Sequence, residues 1–89
     1  MFYVYVLRCS DQKFYIGYSS NLKNRLDLHA KGGVQATKSR LPLKLIFYEA
    51  YLDKYDALRR EKYFKTTKGK KTLSVMLREF LAKERCPSG

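Results

Sequence analysis

The sequence is poor in acidic residues, in cysteine and in long apolar runs, and each shortage narrows what the chain can be. Eight Asp and Glu stand against nineteen Lys and Arg in 89 residues, a formal net charge of +11. Such a surplus attracts polyanions: nucleic acid, an anionic membrane surface or an acidic protein. The two cysteines, Cys9 and Cys86, lie near opposite ends of the chain, a spacing that matches neither a zinc-ligand pattern nor a disulfide framework. Free thiols and a cytoplasmic location are therefore expected. No apolar stretch approaches the roughly 20 residues that span a bilayer, and no charged stem followed by an apolar run resembles a signal peptide. A membrane partner is set aside, and nucleic acid leads. Tryptophan is also absent, while tyrosine occurs eight times. Tyrosine suits half-wet positions, where the ring is buried and the hydroxyl keeps a polar partner.

What is present argues for a folded unit. Hydrophobic residues make up 45% of the chain and aromatic residues 15%, which excludes a disordered composition. The length suits one domain near the lower limit for an unaided core. No linker, repeat or low-complexity segment interrupts it. A single domain over residues 1–85 is expected, with 86–89 as a frayed tail.

Residues 2–7, FYVYVL, are β-branched and aromatic on both alternating faces, which predicts a strand covered on both sides. A polar turn from Cys9 to Lys13 leads to a second strand, Phe14 to Tyr18, in an antiparallel hairpin. Ser19, Ser20 and Asn21 offer successive N-caps for a helix that runs to about Lys31 and stops at Gly32-Gly33. The segment from Gly32 to Pro42 is polar, basic and loop-like. Leu43 to Leu52 forms a third strand, and Asp53 caps a second helix that ends before Gly69, with Asp56 in its first turn. A third helix from about Thr72 to Lys83 carries the stripe Leu73, Met76, Leu77, Phe80 and Leu81. The expected fold class is α/β of the α+β type: a small three-stranded antiparallel sheet flanked by helices, in the order β-β-α-β-α-α.

Several ionisable residues sit where apolar ones would be ordinary. In the first helix Leu22, Leu26 and Ala30 form an apolar arc, and Arg25 and His29 lie on its flank one turn apart. They mark either the rim of a cleft or the core margin, with a snorkelling guanidinium and a hydrogen-bonded imidazole. In the second helix Glu61 falls angularly between Ala57, Leu58 and Phe64. A carboxylate there needs a cation, which Arg25, a lysine or a metal ion could supply. Gly17 interrupts a strand, and marks either a close approach or a bend at the strand end. Tyr3, Tyr5, Tyr15 and Tyr18 crowd the hairpin. Basic residues gather at Lys62, Lys65, Lys68, Lys70 and Lys71, and at Lys31, Lys38, Arg40 and Lys44. Such runs are either solvated faces or contacts that position a phosphate backbone without reading sequence.

Together these residues resemble the GIY-YIG endonuclease superfamily, in particular its compact single-domain bacterial branch. Tyr3-Val4-Tyr5 and Tyr15-Ile16-Gly17 resemble the paired motif that names it. Asn21 to His29 is similar to its motif helix, with Arg25 followed one turn later by His29, and Ala57 to Glu61 is similar to the segment bearing its metal-binding Glu. Tyr3 stands where the motif usually has glycine, and Thr66 to Val75 lacks the asparagine that several active members carry. The resemblance implies a divalent-metal-dependent nuclease, acting on DNA more readily than RNA, with Mg2+ or Mn2+ held by Glu61. It also implies Tyr5, Tyr15, Arg25, His29 and Glu61 as the catalytic set. Arg25 would clamp the phosphate, Tyr15 orient the phosphate or the water, and Tyr5 act as general base, with His29 as a rival for that role. Lys31, Lys38, Arg40, Lys62, Lys65, Lys68, Lys70 and Lys71 are the expected nucleic-acid contacts. The competing classes are a basic nucleic-acid-binding module that cleaves nothing and an adaptor for an acidic protein.

Overall fold

The computed structural model describes residues 1–84, so the expected tail at 86–89 lies outside the described residues. Strand β1 (Phe2–Arg8) is the centre of a three-stranded antiparallel sheet in the order β2-β1-β3, between β2 (Phe14–Ser19) and β3 (Lys44–Tyr51). The strand that is apolar on both faces is the one with neighbours on both sides. Val4, Tyr5 and Val6 are wholly buried and Leu7 nearly so. The edge strand β3 instead has no fully buried residue, and from Phe47 to Tyr51 it alternates between half-buried and exposed positions, as a strand with one wet face does. A register shift opposite Val6 and Leu7 bends β3 along β1.

The two faces of β1 serve different cores. Val4 and Val6 point with Ile16 toward helices α2 (Lys54–Phe64) and α3 (Thr67–Met76), meeting Ala57, Phe64 and Leu73. Phe64 is fully buried there and stacks edge-on against Phe47, a burial that contributes about 1.5–3 kcal/mol. Arg60 lies over the Phe64 ring at 4.3 Å and donates to Glu49 of β3 at 3.0 Å, tying α2 to the sheet. Tyr5 and Leu7 point to the opposite face. There Leu7 lines a small cavity of about 120 Å3 with Leu26, His29 and Ala30 of helix α1 (Leu22–Ala30), and with Leu43 and Leu45.

Local chemistry sets the helix ends. The Asn21 side chain accepts from the Asn24 amide to cap α1, and Gly32 beyond it takes the left-handed conformation that stops the helix. Asp53 caps α2 by accepting from the Tyr55 amide. The loop after α1 contains a single 3-10 turn, Lys38–Arg40.

The C-terminal half departs from expectation in detail. A helix from about Thr72 to Lys83 is replaced by two, α3 and α4 (Arg78–Glu84), so the order is β-β-α-β-α-α-α. Helix α2 stops at Phe64, and Thr66 immediately caps α3 by accepting from the Gly69 amide. A threonine cap three residues ahead of a glycine is a weak signal beside the longer stripe, so the earlier start was not legible. Gly69 thus lies inside a helix rather than beyond one, because α3 crosses the end of α2 at this point. A β-carbon on Gly69 would strike the Tyr63 carbonyl and the Phe64 backbone.

Gly69→Ala therefore separates two effects of opposite sign. Helix propensity favours alanine by about 1 kcal/mol, whereas backbone collision costs about 1–3 kcal/mol or more. Denaturant unfolding is expected to show net destabilisation; a stabilised variant would contradict the close helix crossing.

Candidate active site

The site is built around one phenol. Tyr5 lies in the middle of the central strand, opposite Gly17 of β2 and Tyr48 of β3. Its ring lies across Gly17, where a β-carbon would collide with Cζ and the hydroxyl. Of the two readings of this glycine, close approach is the one observed. Glycine lets the Tyr5 hydroxyl lie flat over the neighbouring strand and reach helix α1.

Helix α1 brings two groups to that hydroxyl. His29 Nε2 lies 2.7 Å from it, and Arg25 Nε donates to it at 3.4 Å. The 3.6-residue period places them one above the other on the flank facing the sheet. Their burial differs: His29 is 1% exposed, while Arg25 is only half-buried. The guanidinium therefore retains a solvent-facing part, and the imidazole retains none. Its second nitrogen, Nδ1, lies 2.8 Å from the hydroxyl of Thr37, which is itself fully buried. Tyr15 completes this side, with its ring 5.3 Å from His29 and 6.4 Å from Tyr5.

Glu61 comes from α2. Its charge is the smallest of the influences that raise the Tyr5 phenol, and among the described residues no hydrogen bond or ion pair joins its side chain to Tyr5, Tyr15, Arg25 or His29. The cation that satisfies it is Lys65, one turn on in the same helix, at 3.1 Å. Of the three candidates for that role, a lysine fills it and Arg25 does not. Among the described residues no group of three or more His, Cys, Asp or Glu side chains forms a metal cluster.

The electrostatics follow from burial. Desolvation raises the Tyr5 pKa above the usual phenol range, opposed by the hydrogen bond from Arg25 and reinforced by Tyr15 and Glu61. Desolvation likewise lowers the His29 pKa, and the Arg25 charge lowers it further. The Arg25 pKa is raised chiefly by its hydrogen bond to Tyr5, with Tyr15 contributing. At neutral pH the centre is a protonated phenol between a guanidinium and an uncharged imidazole. Such a phenol can hand its proton to the imidazole while its oxygen faces a positive charge.

The expected nucleic-acid contacts are more scattered. Lys31, Lys38, Lys62, Lys65, Lys68, Lys70 and Lys71 are all exposed. Arg40 is half-buried and paired with Asp11 at 2.8 Å. Arg40 and Lys70, thirty positions apart in sequence, line one open cavity of about 480 Å3 with Arg8 and Lys13. The one centre residue that sequence reasoning missed is Thr37. It lies in a polar, basic loop with no periodicity to separate a buried hydroxyl from an exposed one.

Comparison with known proteins agrees with this geometry. Residues 1–74 match the family model for the GIY-YIG catalytic domain. The chain is 48% identical over 65 residues to a UPF0213 protein of Pediococcus pentosaceus, covering 72% of this chain and 68% of that one. It is 47% identical over 64 residues to a UPF0213 protein of Streptococcus agalactiae, covering 71% and 73%. The solution NMR structure of a UPF0213 protein from Bacillus halodurans superposes with a TM-score of 0.56 at 34% identity, covering 85% of each chain. These relatives are compact bacterial proteins. No helix among the described residues is long and apolar enough to cross a membrane.

Two measurements test the centre as a physical object. Gly17→Ala is expected to cost about 1–3 kcal/mol in equilibrium unfolding, because the Tyr5 ring must move off the strand; an unchanged stability would mean that the ring does not need the space. His29 is the chain's single histidine, and its folded pKa lies below its ordinary value of 6.5. The unfolded chain therefore takes up a proton first as pH falls. The contribution of the neutral imidazole is complete above that value and is lost progressively below it. The melting temperature of wild type should fall more steeply between about pH 7 and 5 than that of His29→Gln. Parallel curves would show that the imidazole is not held neutral by burial.

Proposed function

Because the chain belongs to the GIY-YIG catalytic domain family, a family of nuclease type, we propose that it hydrolyses phosphodiester bonds in nucleic acid, DNA before RNA, with a divalent metal ion. The observation that carries this is the convergence of His29 and Arg25 on the Tyr5 hydroxyl. Few structural roles call for a buried phenol to be served by both a cationic donor and a neutral proton acceptor.

In the proposed reaction Tyr5 is the general base on the attacking water. Its oxygen takes the water proton as its own proton passes to His29 Nε2, so no free phenolate is required. Tyr5 and His29 are both buried, so the scheme needs the attacking water to enter beside the half-buried Arg25. Tyr5 is preferred to His29 as the base because its hydroxyl is the group that Arg25 contacts. Arg25 bonds Tyr5 through Nε, leaving its terminal nitrogens to bind the non-bridging phosphoryl oxygens as charge develops on them. Tyr15, beside His29, orients the phosphate or the water. The exposed lysines and Arg40 steer and position the backbone without reading sequence.

Glu61 is the residue that would hold Mg2+ or Mn2+. Its side chain is 20% exposed, and its Lys65 partner is 55% exposed and able to swing away. One accessible carboxylate suits Mg2+, which keeps several waters and shares substrate phosphate oxygens instead of requiring an all-protein cage. When bound, the ion would stabilise charge on the phosphoryl and leaving oxygens.

A second function draws on a specific observation as well. Glu61 already has an internal cation, and Thr66 to Val75 contains no asparagine. Both suit a module that binds nucleic acid through the same basic surface and cuts nothing.

Incubation of the pure protein with supercoiled plasmid and Mg2+ or Mn2+ distinguishes the two. Nicking is expected, lost on chelation and reduced at least about 100-fold in Arg25→Ala and in Glu61→Ala, with both variants folded by circular dichroism. Salt-sensitive binding without nicking, indifferent to Glu61→Ala, would establish the binding module in its place.

A further inference from the structure

Thr37 belongs to the 3-10 approach of the loop after α1, and the family resemblance gave it no part. It is nevertheless fully buried, as is His29, its hydrogen-bond partner. We propose that Thr37 is a positioning residue that fixes the His29 tautomer, keeping Nδ1 protonated so that Nε2 is always free to receive the Tyr5 proton. The role rests on the nuclease activity proposed above and identifies what controls proton transfer at that centre.

A neutral imidazole carries one N–H and one lone pair, and the partner of each nitrogen decides which is which. Arg25 Nε donates to the Tyr5 oxygen. If His29 Nε2 carried the hydrogen, it would also donate to that oxygen, and the phenolic proton would have no hydrogen-bond acceptor recorded among the described residues. With the hydrogen on Nδ1 it is instead the Thr37 hydroxyl proton that lacks a recorded acceptor among the described residues. This arrangement is favoured because the phenol is the stronger donor of the two hydroxyls and its oxygen already accepts from Arg25. Arg25 donates to Tyr5, Tyr5 donates to Nε2 at 2.7 Å, and Nδ1 donates to Thr37 Oγ1 at 2.8 Å. Exposures of 0%, 1% and 0% for Tyr5, His29 and Thr37 mean that these bonds are made within the protein and not to solvent in this structure. A histidine with the opposite tautomer would point a hydrogen at the phenol and could accept nothing from it.

The loop is built to deliver this hydroxyl. Gly33 donates to the Leu28 carbonyl and Thr37 to the Val34 carbonyl, folding the chain back onto α1. Val34 is buried alongside. The eight-residue separation of His29 and Thr37 is thus bridged by ordered backbone.

The test uses the full chain with 15N-labelled histidine, the single imidazole giving one pair of ring signals. Wild type at pH 7.5 is expected to show a protonated Nδ1 and an unprotonated Nε2. Thr37→Val removes the hydroxyl with little change of shape; it should shift the ring toward the other tautomer and lower kcat for plasmid nicking about 10- to 100-fold, the range typical of lost orienting partners, with KM little changed. Thr37→Ser should restore both the tautomer and kcat. A wild-type spectrum with Nε2 protonated overturns the proposal by itself, even if Thr37→Val does not fold. So does a Thr37→Val spectrum identical to wild type. A wild type that never nicks removes the nuclease activity, while the ring-nitrogen spectra still decide the role of Thr37.

Discussion

A tyrosine side chain laid across a glycine on the neighbouring strand sets the geometry of this protein. The Tyr5 ring lies over β2, and Gly17 provides the space for it. In that orientation the hydroxyl reaches the flank of α1 where Arg25 and His29 are stacked. The separation of sheet and helix, the direction of α1 and the fold of the following loop must all agree with this contact. Its burial has an electrostatic consequence, since a phenol and an imidazole withdrawn from water both stay neutral.

The central strand makes such a site possible in a small chain. One face of β1 is devoted to stability, with Val4 and Val6 packed against Ala57, Phe64 and Leu73. The other face can then carry Tyr5 and its polar partners without depriving the protein of a core. Glu61 belongs to the helix that packs on the stability face, and its recorded partner is Lys65 of the same helix.

Acidic residues are few and mostly engaged. Asp11 holds Arg40, Glu49 holds Arg60, Glu61 holds Lys65 and Glu84 holds Arg8. These pairs join elements or occupy helical turns, and most of the lysines remain on the surface. The excess of +11 is thus carried largely by exposed side chains, where it can neutralise a phosphate backbone and make binding depend on salt. The contrast with the centre is physical: outside, charge is plentiful and solvated; inside, one guanidinium acts on two neutral rings.

The sequence by itself determined the sheet, because period-2 and doubly apolar patterns reflect which faces are covered, and it determined the flank shared by Arg25 and His29, because helical spacing is rigid. The side-chain cap Asp53 was legible for the same local reason, and Asn21 was one of three candidates among which the structure chose. The last helices were only partly legible: the stripe from Leu73 to Leu81 is real, but the break at Leu77 and the early start at Thr66 depend on how α3 crosses α2. Glu61 was legible as an acid needing a cation, although the choice of Lys65 was a matter of rotamer and reach. Only the tertiary structure decided that Gly17 makes room for a ring, that His29 is sealed from water, and that Thr37 lies against its far nitrogen. Those facts concern residues distant in sequence meeting in a dry volume. Burial of that kind leaves no periodic trace in a loop, since a threonine in a polar segment has the same local pattern whether its hydroxyl faces solvent or an imidazole.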